Sequence, residues 1–552
     1  MRSVPARAAL LGALFAALVT LPGLGIGTLW DNSETAYGEV AREILLTHDW
    51  VVMHLNGAPW FVQPPLYFWI AAVFAKLFGA SAFALRLPSA LATIAMGGTV
   101  GYATARIAGG RAGMIAAIVL STSLMQAIVG RLAIMDALLD FAIAAAVLWW
   151  YRAFEPSGSA RRRDTAFVCG ALALAIGTLA KGPVAPVITA LVIGVWLLWE
   201  RRAGRLAAPE RFAVVLALIA YVAVTLPWFV ALAARVGPHA IVELIGHYTF
   251  GRYTGVIENQ TGPVWYYIPV LILGFFPWIA FVPVALGVAL REARAPDGGF
   301  ARLAIVWTFV PLVFFSFANT KLPNYVALIL PALAVLVALW FERVRNGADR
   351  RAAVYSALSI PIFVGLVAFA IGAFSRSNRL DVDLAAVNHQ LAFLGVAMLI
   401  GSVLTVVAIA RRSTAAWSPY VLALTSGGLV LFIALIAEPA AEPLKPIPPI
   451  AQTIDERRKP SDVIGIAGAS GGNGLIFYTE PPVKDIKNNA GFLATICPST
   501  EAWIVTRPQD EEHFAALARS RRRSADIVME APPSGHPRAV LIHIAGPACP
   551  PG

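Results

Sequence analysis

Apolar residues run in long blocks along this chain, most of them near span length and closed by arginines or short polar stretches. A block such as 212–233, rich in Ala, Val and Leu, is long enough to cross a hydrocarbon core of about 30 Å as a helix. Marking such blocks predicts about thirteen spanning helices, at 8–29, 86–106, 112–129, 136–153, 165–180, 183–200, 212–233, 263–290, 303–318, 324–342, 352–374, 391–410 and 416–437. The first follows Arg2 and Arg7 as a secretory leader does. It lacks a small-residue cleavage site and more spans come after it, so it reads as a retained helix.

From 438 onward the pattern changes. Apolar runs shorten to strand length at Val463 to Ala467, Leu475 to Thr479, Ala502 to Thr506 and Ala539 to Ile544, with a helix-like stretch at Glu511 to Ser520. This predicts a small soluble α/β domain. The expected division is 1–437 for a membrane domain and 438–552 for a soluble one. The glycine-rich loop 468–474 matches no phosphate-loop spacing and reads as a surface loop.

Charge orients the chain. With the N-terminus in the cytoplasm, alternating spans put 106–111, 152–163, 201–211, 291–302, 343–351 and 411–412 on the inner side, and every dense Arg cluster of the membrane region falls there. That is the positive-inside pattern, and it places the C-terminal domain outside. Composition agrees, at 58% hydrophobic and 14% charged residues against about 25% charged in average soluble proteins. An ordinary multidomain cytoplasmic protein and a disordered scaffold are excluded. The net charge of +11, from 43 basic and 32 acidic residues, follows from the loop bias and implies no nucleic-acid partner. Three Cys are too few for a disulfide framework. Cys169 reads as a small core residue, while Cys497 and Cys549 are able to pair if the C-terminal region is outside the cytoplasm.

The outer connections collect residues that spanning helices do not need. In 29–84, Asp31 and Glu34 stand three apart, so a helix places both on one face. They also suit a helix N-terminus, where acids complement the macrodipole. Tyr37, Glu39 and Arg42 follow, and then Gln63-Pro64-Pro65 opens an aromatic stretch, 66–79, too short to span and suited to the interface. Arg131 and Asp136 bracket a short turn. Lys181 interrupts a nearly continuous apolar run, where an ionisable residue is expensive and commonly functional. The segment 234–262 offers Glu243, His247, Tyr248, Arg252 and Tyr253, and the turn before Tyr325 offers Lys321. A lone cation at a span end also suits snorkelling. Yet Lys181, Arg252 and Lys321 share the face that carries Asp31 and Glu34, where the inside bias thins cations. Cations beside acids at a membrane surface suit a phosphate leaving group and a general base.

In order along the chain, Asp31…Glu34…Tyr37…Glu39-Val-Ala-Arg42, Asp49-Trp50, Leu55-Asn56-Gly57, Pro64-Pro65-Leu66-Tyr67, Arg86-Leu87-Pro88, Arg131…Asp136, Lys181-Gly182-Pro183, Pro227-Trp228, His247…Arg252-Tyr253, Pro277-Trp278 and Lys321-Leu322-Pro323…Tyr325 resemble one family. It is that of bacterial lipid-linked-sugar glycosyltransferases similar to the aminoarabinose transferase of lipid A and to protein O-mannosyltransferases. The resemblance implies a C-type glycosyltransferase fold in a bacterial inner membrane. It further implies a polyprenyl-phosphate-linked sugar donor and an envelope acceptor, such as lipid A, another glycolipid, a glycan or a protein hydroxyl, at the periplasmic face. By it, Asp31 or Glu34 deprotonates the acceptor in an inverting displacement. Lys181, Arg252, Lys321 and Tyr325, with Gln63, hold the donor phosphate, while Tyr37, Arg131, Asp136 and His247 serve the acceptor or support the others.

The chain departs from the family pattern twice. Ser33 precedes Glu34 where many relatives pair two acids, and Val62-Gln63 stands where many carry Glu-Lys. The second change removes a phosphate-binding cation and a possible divalent-metal ligand, so no obligatory metal or other cofactor is expected. A protein O-mannosyltransferase-like enzyme or a polysaccharide polymerase or ligase also fits such donors. A transporter or flippase belongs to another class, and internal repeats and midplane charges are its marks. No repeat relates the two halves here, and the charges lie at the outer ends of spans.

Overall fold

The computed structural model describes residues 3–30, 32–156, 158–202, 206–257, 260–375, 388–480, 482–532 and 537–549, with the side chains of 369–375, 388–389 and 391 excepted. Ser3–Thr20 (α1) comes first. The loop behind it folds into Ser33–Thr47 (α2), the hairpin His54–Leu55 (β1) with Ala58–Pro59 (β2), and Leu66–Phe78 (α3). Then follow Ala82–Ala108 (α4), Gly110–Thr122 (α5), Leu124–Val129 (α6), Asp136–Ala153 (α7), Ala160–Lys181 (α8), Val184–Arg202 (α9) and Arg211–Val236 (α10).

Among the described residues, 10 helices are long and apolar enough to cross a membrane, or up to 11 with the pair Tyr267–Gly274 and Trp278–Glu292, which is bent by 110°. Lipid offers no partner to a backbone N–H or C=O, so helices that satisfy their own are the natural form of these runs. Every predicted span contains helix, although the first, 8–29, is helical only as far as Thr20. Besides 263–290, which is that bent pair, two do not qualify as single long apolar helices: 112–129 is divided at Ser123 between α5 and α6, and α7 carries Asp136, Asp140 and Arg152.

Small residues let the first helices approach closely. At Gly113 of α5 a methyl group would collide with the Gly101 carbonyl of α4, so glycine alone permits the contact. The core of the bundle is aromatic and aliphatic, with Trp278, Trp307, Trp340, Phe281 and Phe341 buried. By contrast α10 exposes Phe212, Val215, Leu218, Ile219 and Val230, as a helix facing lipid does. On the arginine-rich side Arg302 is buried against Glu200 at 2.5 Å and 3.1 Å and donates to the Ala293 carbonyl at 2.7 Å. Pairing and hydrogen bonding of this kind offset the cost of burying a charge.

In the first loop, α3 buries Tyr67, Phe68, Ala71, Ala72 and Ala75 and exposes Val73, Leu77 and Phe78. Tyr37 of α2 meets Trp60, Tyr67 and Phe68 edge-on with ring centroids 6.1, 6.4 and 5.7 Å apart, which locks α2 onto α3.

The C-terminal part forms one mixed sheet of Val463–Ala467 (β3), Val483–Ile486 (β4), Glu501–Thr506 (β5), Ser524–Ala531 (β6) and Ala539–Ala545 (β7) in the order β4-β3-β5-β7-β6. Three expected strands and the helix Glu511–Ser520 are found there. The fourth expected strand is corrected. Leu475 to Thr479 belongs to a helix, Gly472–Thr479, entered through Gly471 at φ 107°. Leu475 and Thr479, one turn apart, are its buried side, and a short apolar run does not by itself separate helix from strand. Strands β4 and β6 carry charged residues, Lys484 with Asp485 and Asp526 with Glu530, which hid them from the hydrophobic pattern. Cys497 and Cys549 are disulfide-bonded, their Cα atoms 4.7 Å apart.

This unit grips the first loop. Asn56 donates to the Val483 carbonyl at 2.8 Å and accepts from Val483 N at 2.9 Å. Leu29 N donates to the Tyr478 hydroxyl at 2.7 Å, and the Asn473 amide donates to Asn32 O and Oδ1 at 3.1 Å and 2.8 Å.

Candidate active site

A cavity of about 880 Å³ opens where these elements meet. Its lining includes Trp30, Asn32, Glu34 and Tyr37 from the first loop and α2, Gln63 ahead of α3, and Asp136 and Asp140 of α7. Lys181 closes α8, Arg252 and Gln260 come from the segment after α10, and Asn324, Tyr325 and Asn473 complete the wall. Asp31 lies outside the described residues.

Lys181 is the last residue of α8, and Gly182 at φ 70° turns the chain directly into α9. Only glycine takes such a backbone at little cost, so the lysine is held on a tight corner. Its ammonium meets Asp136 Oδ1 at 2.5 Å and stands 5.5 Å over the Tyr325 ring. Asn324 Nδ2 donates to the same Asp136 oxygen at 2.7 Å. Asp136 in turn opens α7, where a carboxylate favours the helix dipole.

Arg252 follows a π-helical stretch, Val242–Gly251, a form often found at functional sites. Its carbonyl accepts from Thr320 N at 3.0 Å, and that of Tyr253 accepts from Asn319 N at 3.0 Å, so the 252–253 corner is pinned to the turn before Tyr325. The Arg252 guanidinium reaches Gln260 Oε1 at 3.5 Å.

Glu34 is buried and fully engaged. Arg86 donates to Oε1 at 2.9 Å and to Oε2 at 3.0 Å, Ala133 N donates to Oε1 at 2.5 Å, and Trp30 N donates to Oε2 at 2.8 Å. A carboxylate has about four acceptor positions, and all are taken. One turn further along α2, Glu39 is held by Arg42 at 2.8 Å and 3.0 Å. Burial nevertheless pushes its carboxyl up to about 7.

Of the residues to which the resemblance gives a role, the structure therefore gathers Glu34, Tyr37, Gln63, Asp136, Lys181, Arg252 and Tyr325 around one space. Three others are not among its lining. Lys321 turns its ammonium onto the Ser316 and Ala318 carbonyls at 2.8 Å and 2.7 Å. Arg131 donates to the Thr20 carbonyl at 2.6 Å, and His247 stands edge-on to Tyr248 at 4.8 Å. Sequence reasoning passed over Asn324, Gln260, Asn473 and Asp140. Only Asp140 carries a local signal, an acid inside an apolar run one helical turn from Asp136. Among the described residues no three His, Cys, Asp or Glu side chains form a group able to hold a metal ion.

A bent multi-helix bundle, a loop domain above it, a C-terminal sheet unit and a charged cavity between them define a C-type glycosyltransferase fold. The same fold is found in the crystal structure of ArnT from Cupriavidus metallidurans bound to undecaprenyl phosphate, with a TM-score of 0.80 at 22% identity over 98% of this chain and 99% of that one. A model of the dolichyl-phosphate-mannose-protein mannosyltransferase family matches residues 62–228. The chain is 30% identical over 402 residues to the undecaprenyl phosphate-alpha-4-amino-4-deoxy-L-arabinose arabinosyl transferase of Yersinia enterocolitica, 71% of this chain and 68% of that one. It belongs to that family. The corresponding enzyme of Erwinia tasmaniensis is 32% identical over 338 residues, 60% of this chain, and the match spans only 59% of that protein's length. Its apolar helices and its family make the chain a multi-pass inner-membrane protein.

Proposed function

We propose that the chain transfers an aminoarabinosyl or closely related pentosyl unit from undecaprenyl phosphate to lipid A or another envelope glycolipid, at the periplasmic face of the inner membrane. The observation that carries this is the Lys181–Asp136 pair, a cation held at the wall of a large cavity with Arg252 and Tyr325 in the same lining. A leaving phosphate gathers charge as its bond to the sugar breaks, and preplaced cations stabilise that charge where water is excluded.

In this mechanism the acceptor oxygen attacks the anomeric carbon opposite the phosphate. The new C–O bond forms as the old one breaks, and configuration inverts. Arg252 and Lys181 take the departing phosphate, Tyr325 shapes the wall beside it, and Gln63 contributes hydrogen bonds without charge. Asp136 orients Lys181. The acceptor's proton goes to Asp31, because every lone pair of Glu34 is occupied and the residues flanking Asp31, Trp30 and Asn32, both line the cavity. Lys321, Arg131 and His247 then support the walls without touching the donor.

The orientation proposed is N-terminus cytoplasmic and sheet unit periplasmic, with the domain division near 438. The arginine clusters on one side support it, and so does the Cys497–Cys549 bond, which suits an oxidising compartment. The test is mass spectrometry of lipid A and total envelope glycolipids from strains with the gene, without it, and with the Lys181→Ala form. Loss of one defined sugar mass in the latter two strains is expected. An unchanged glycolipid profile overturns the proposal.

A further inference from the structure

Asp140 is used by no step described above, yet it lines the same cavity. It is 1% exposed, and its Oδ2 is fully buried with no hydrogen-bond partner. Among the described residues no donor reaches this side chain. That is an unusual arrangement, because a carboxylate buried without a partner gives up its hydration and gains no hydrogen bond in return. The other buried carboxylates show the contrast. Glu34 has Arg86, and Glu200 has Arg302.

The charge count around Asp140 points to what is missing. Asp136 and Asp140 stand four residues apart on α7 and so on one face, and Lys181 is the cation that answers Asp136. Asp140 interacts electrostatically with both. If both are ionised, the two carboxylates outnumber the one ammonium beside them, in a stretch of wall that also includes Leu139, Val184, Val187 and Ile188. A neutral sugar hydroxyl would not balance that excess, whereas a ligand ammonium would supply both the charge and the missing donors.

We propose that Asp140 is a specificity residue that binds the ammonium of an amino sugar, so that the cavity selects a cationic over a neutral pentosyl donor. This rests on the transfer reaction proposed above. The site holds the amine through a charge-assisted hydrogen bond and takes no part in bond making or breaking.

The experiment uses the full-length protein in lipid nanodiscs, with two synthetic polyprenyl-phosphate donors. One carries 4-amino-4-deoxy-L-arabinose, and the other carries the same pentose with a hydroxyl in place of the amine. Wild-type protein is expected to favour the amino donor in kcat/KM, and Asp140→Asn is expected to lose about tenfold or more of that preference, chiefly through the amino donor. Thermal unfolding is read in parallel. Because the carboxylate has no protein partner, Asp140→Asn is expected to unfold at or above the wild-type Tm. An unchanged preference in Asp140→Asn overturns the inference. So does an equal loss with both donors, which is the signature of a general structural role or of a protonated acid serving a sugar hydroxyl. Failure of the wild-type protein to use either donor instead overturns the proposed transfer reaction itself, and the two failures are thereby distinct.

Discussion

The Arg86 guanidinium binds both oxygens of Glu34, 52 residues away in sequence, at 2.9 Å and 3.0 Å, and both side chains are buried. The pair ties the start of α2 to the first long helix after the loop, and Glu438 adds a second carboxylate to Arg86 at 3.3 Å. We propose that Glu34 is a brace under the candidate active site rather than a catalytic base. Replacing Glu34 by Ala leaves a buried guanidinium without its main partner, at a cost of about 3–5 kcal/mol. Detergent-purified Glu34→Ala is expected to unfold well below wild type when followed by tryptophan fluorescence. A variant with wild-type Tm and no turnover would instead give Glu34 a chemical role.

Lys181 is expected to matter for rate far more than for folding. Lys181→Ala should lower turnover about 10²–10³-fold, as loss of one preorganised charge-stabilising group does, and Lys181→Arg should recover part of it. If Asp136 acts through Lys181 as proposed, Asp136→Asn should add little in the Lys181→Ala background. Steady-state assay of the two single variants and the double variant checks this, and additive losses would separate the roles of the two residues.

Glu39 gives the fold a dependence on pH. Its carboxyl is raised from 4.5 to about 7 by burial, so the protonated form is the one the folded state prefers. The stability this contributes is full below about pH 4.5, is lost as pH rises toward 7, and stays lost above it, a change on the order of 3 kcal/mol. Wild-type Tm should therefore fall across that window relative to Glu39→Gln, with a constant gap at higher pH. Parallel Tm-against-pH curves for the two proteins would show that Glu39 does not titrate in this range.

The disulfide reports the side of the membrane. Protein taken from cells under acid quench should show Cys497 and Cys549 blocked to alkylation until reduced, as a periplasmic location requires. The double Ser variant should lose about 2–4 kcal/mol of stability, located in the sheet unit. Free thiols in freshly quenched wild-type cells would reverse the proposed orientation.

The parts of the structure visible in the sequence are those set by local physics. Apolar run length marked the helices, the cost of an ionisable group in such a run marked Lys181, and the short turn bracketed by opposite charges marked Asp136 with Arg131. The parts that were hidden depend on partners distant in the chain. Nothing around Glu34 announces that Arg86 and the Ala133 amide will occupy it. Lys321 looks like Lys181 in sequence, and only the fold distinguishes an ammonium beside a carboxylate from one spent on three carbonyls of its own turn. Asn473 could not be placed at all, because its position at the cavity depends on how the sheet unit seats on the first loop.

That seating bears on how the protein is made. Asn473 and Asn32 meet across 441 residues, so part of the cavity lining comes from a segment made long after the first loop. The spanning helices can enter the membrane one after another as they are synthesised, yet the lining lacks Asn473 until the sheet unit that follows them has emerged, folded and docked. Docking of the sheet unit is therefore the step that completes this part of the lining, after the spanning helices that precede it are in place.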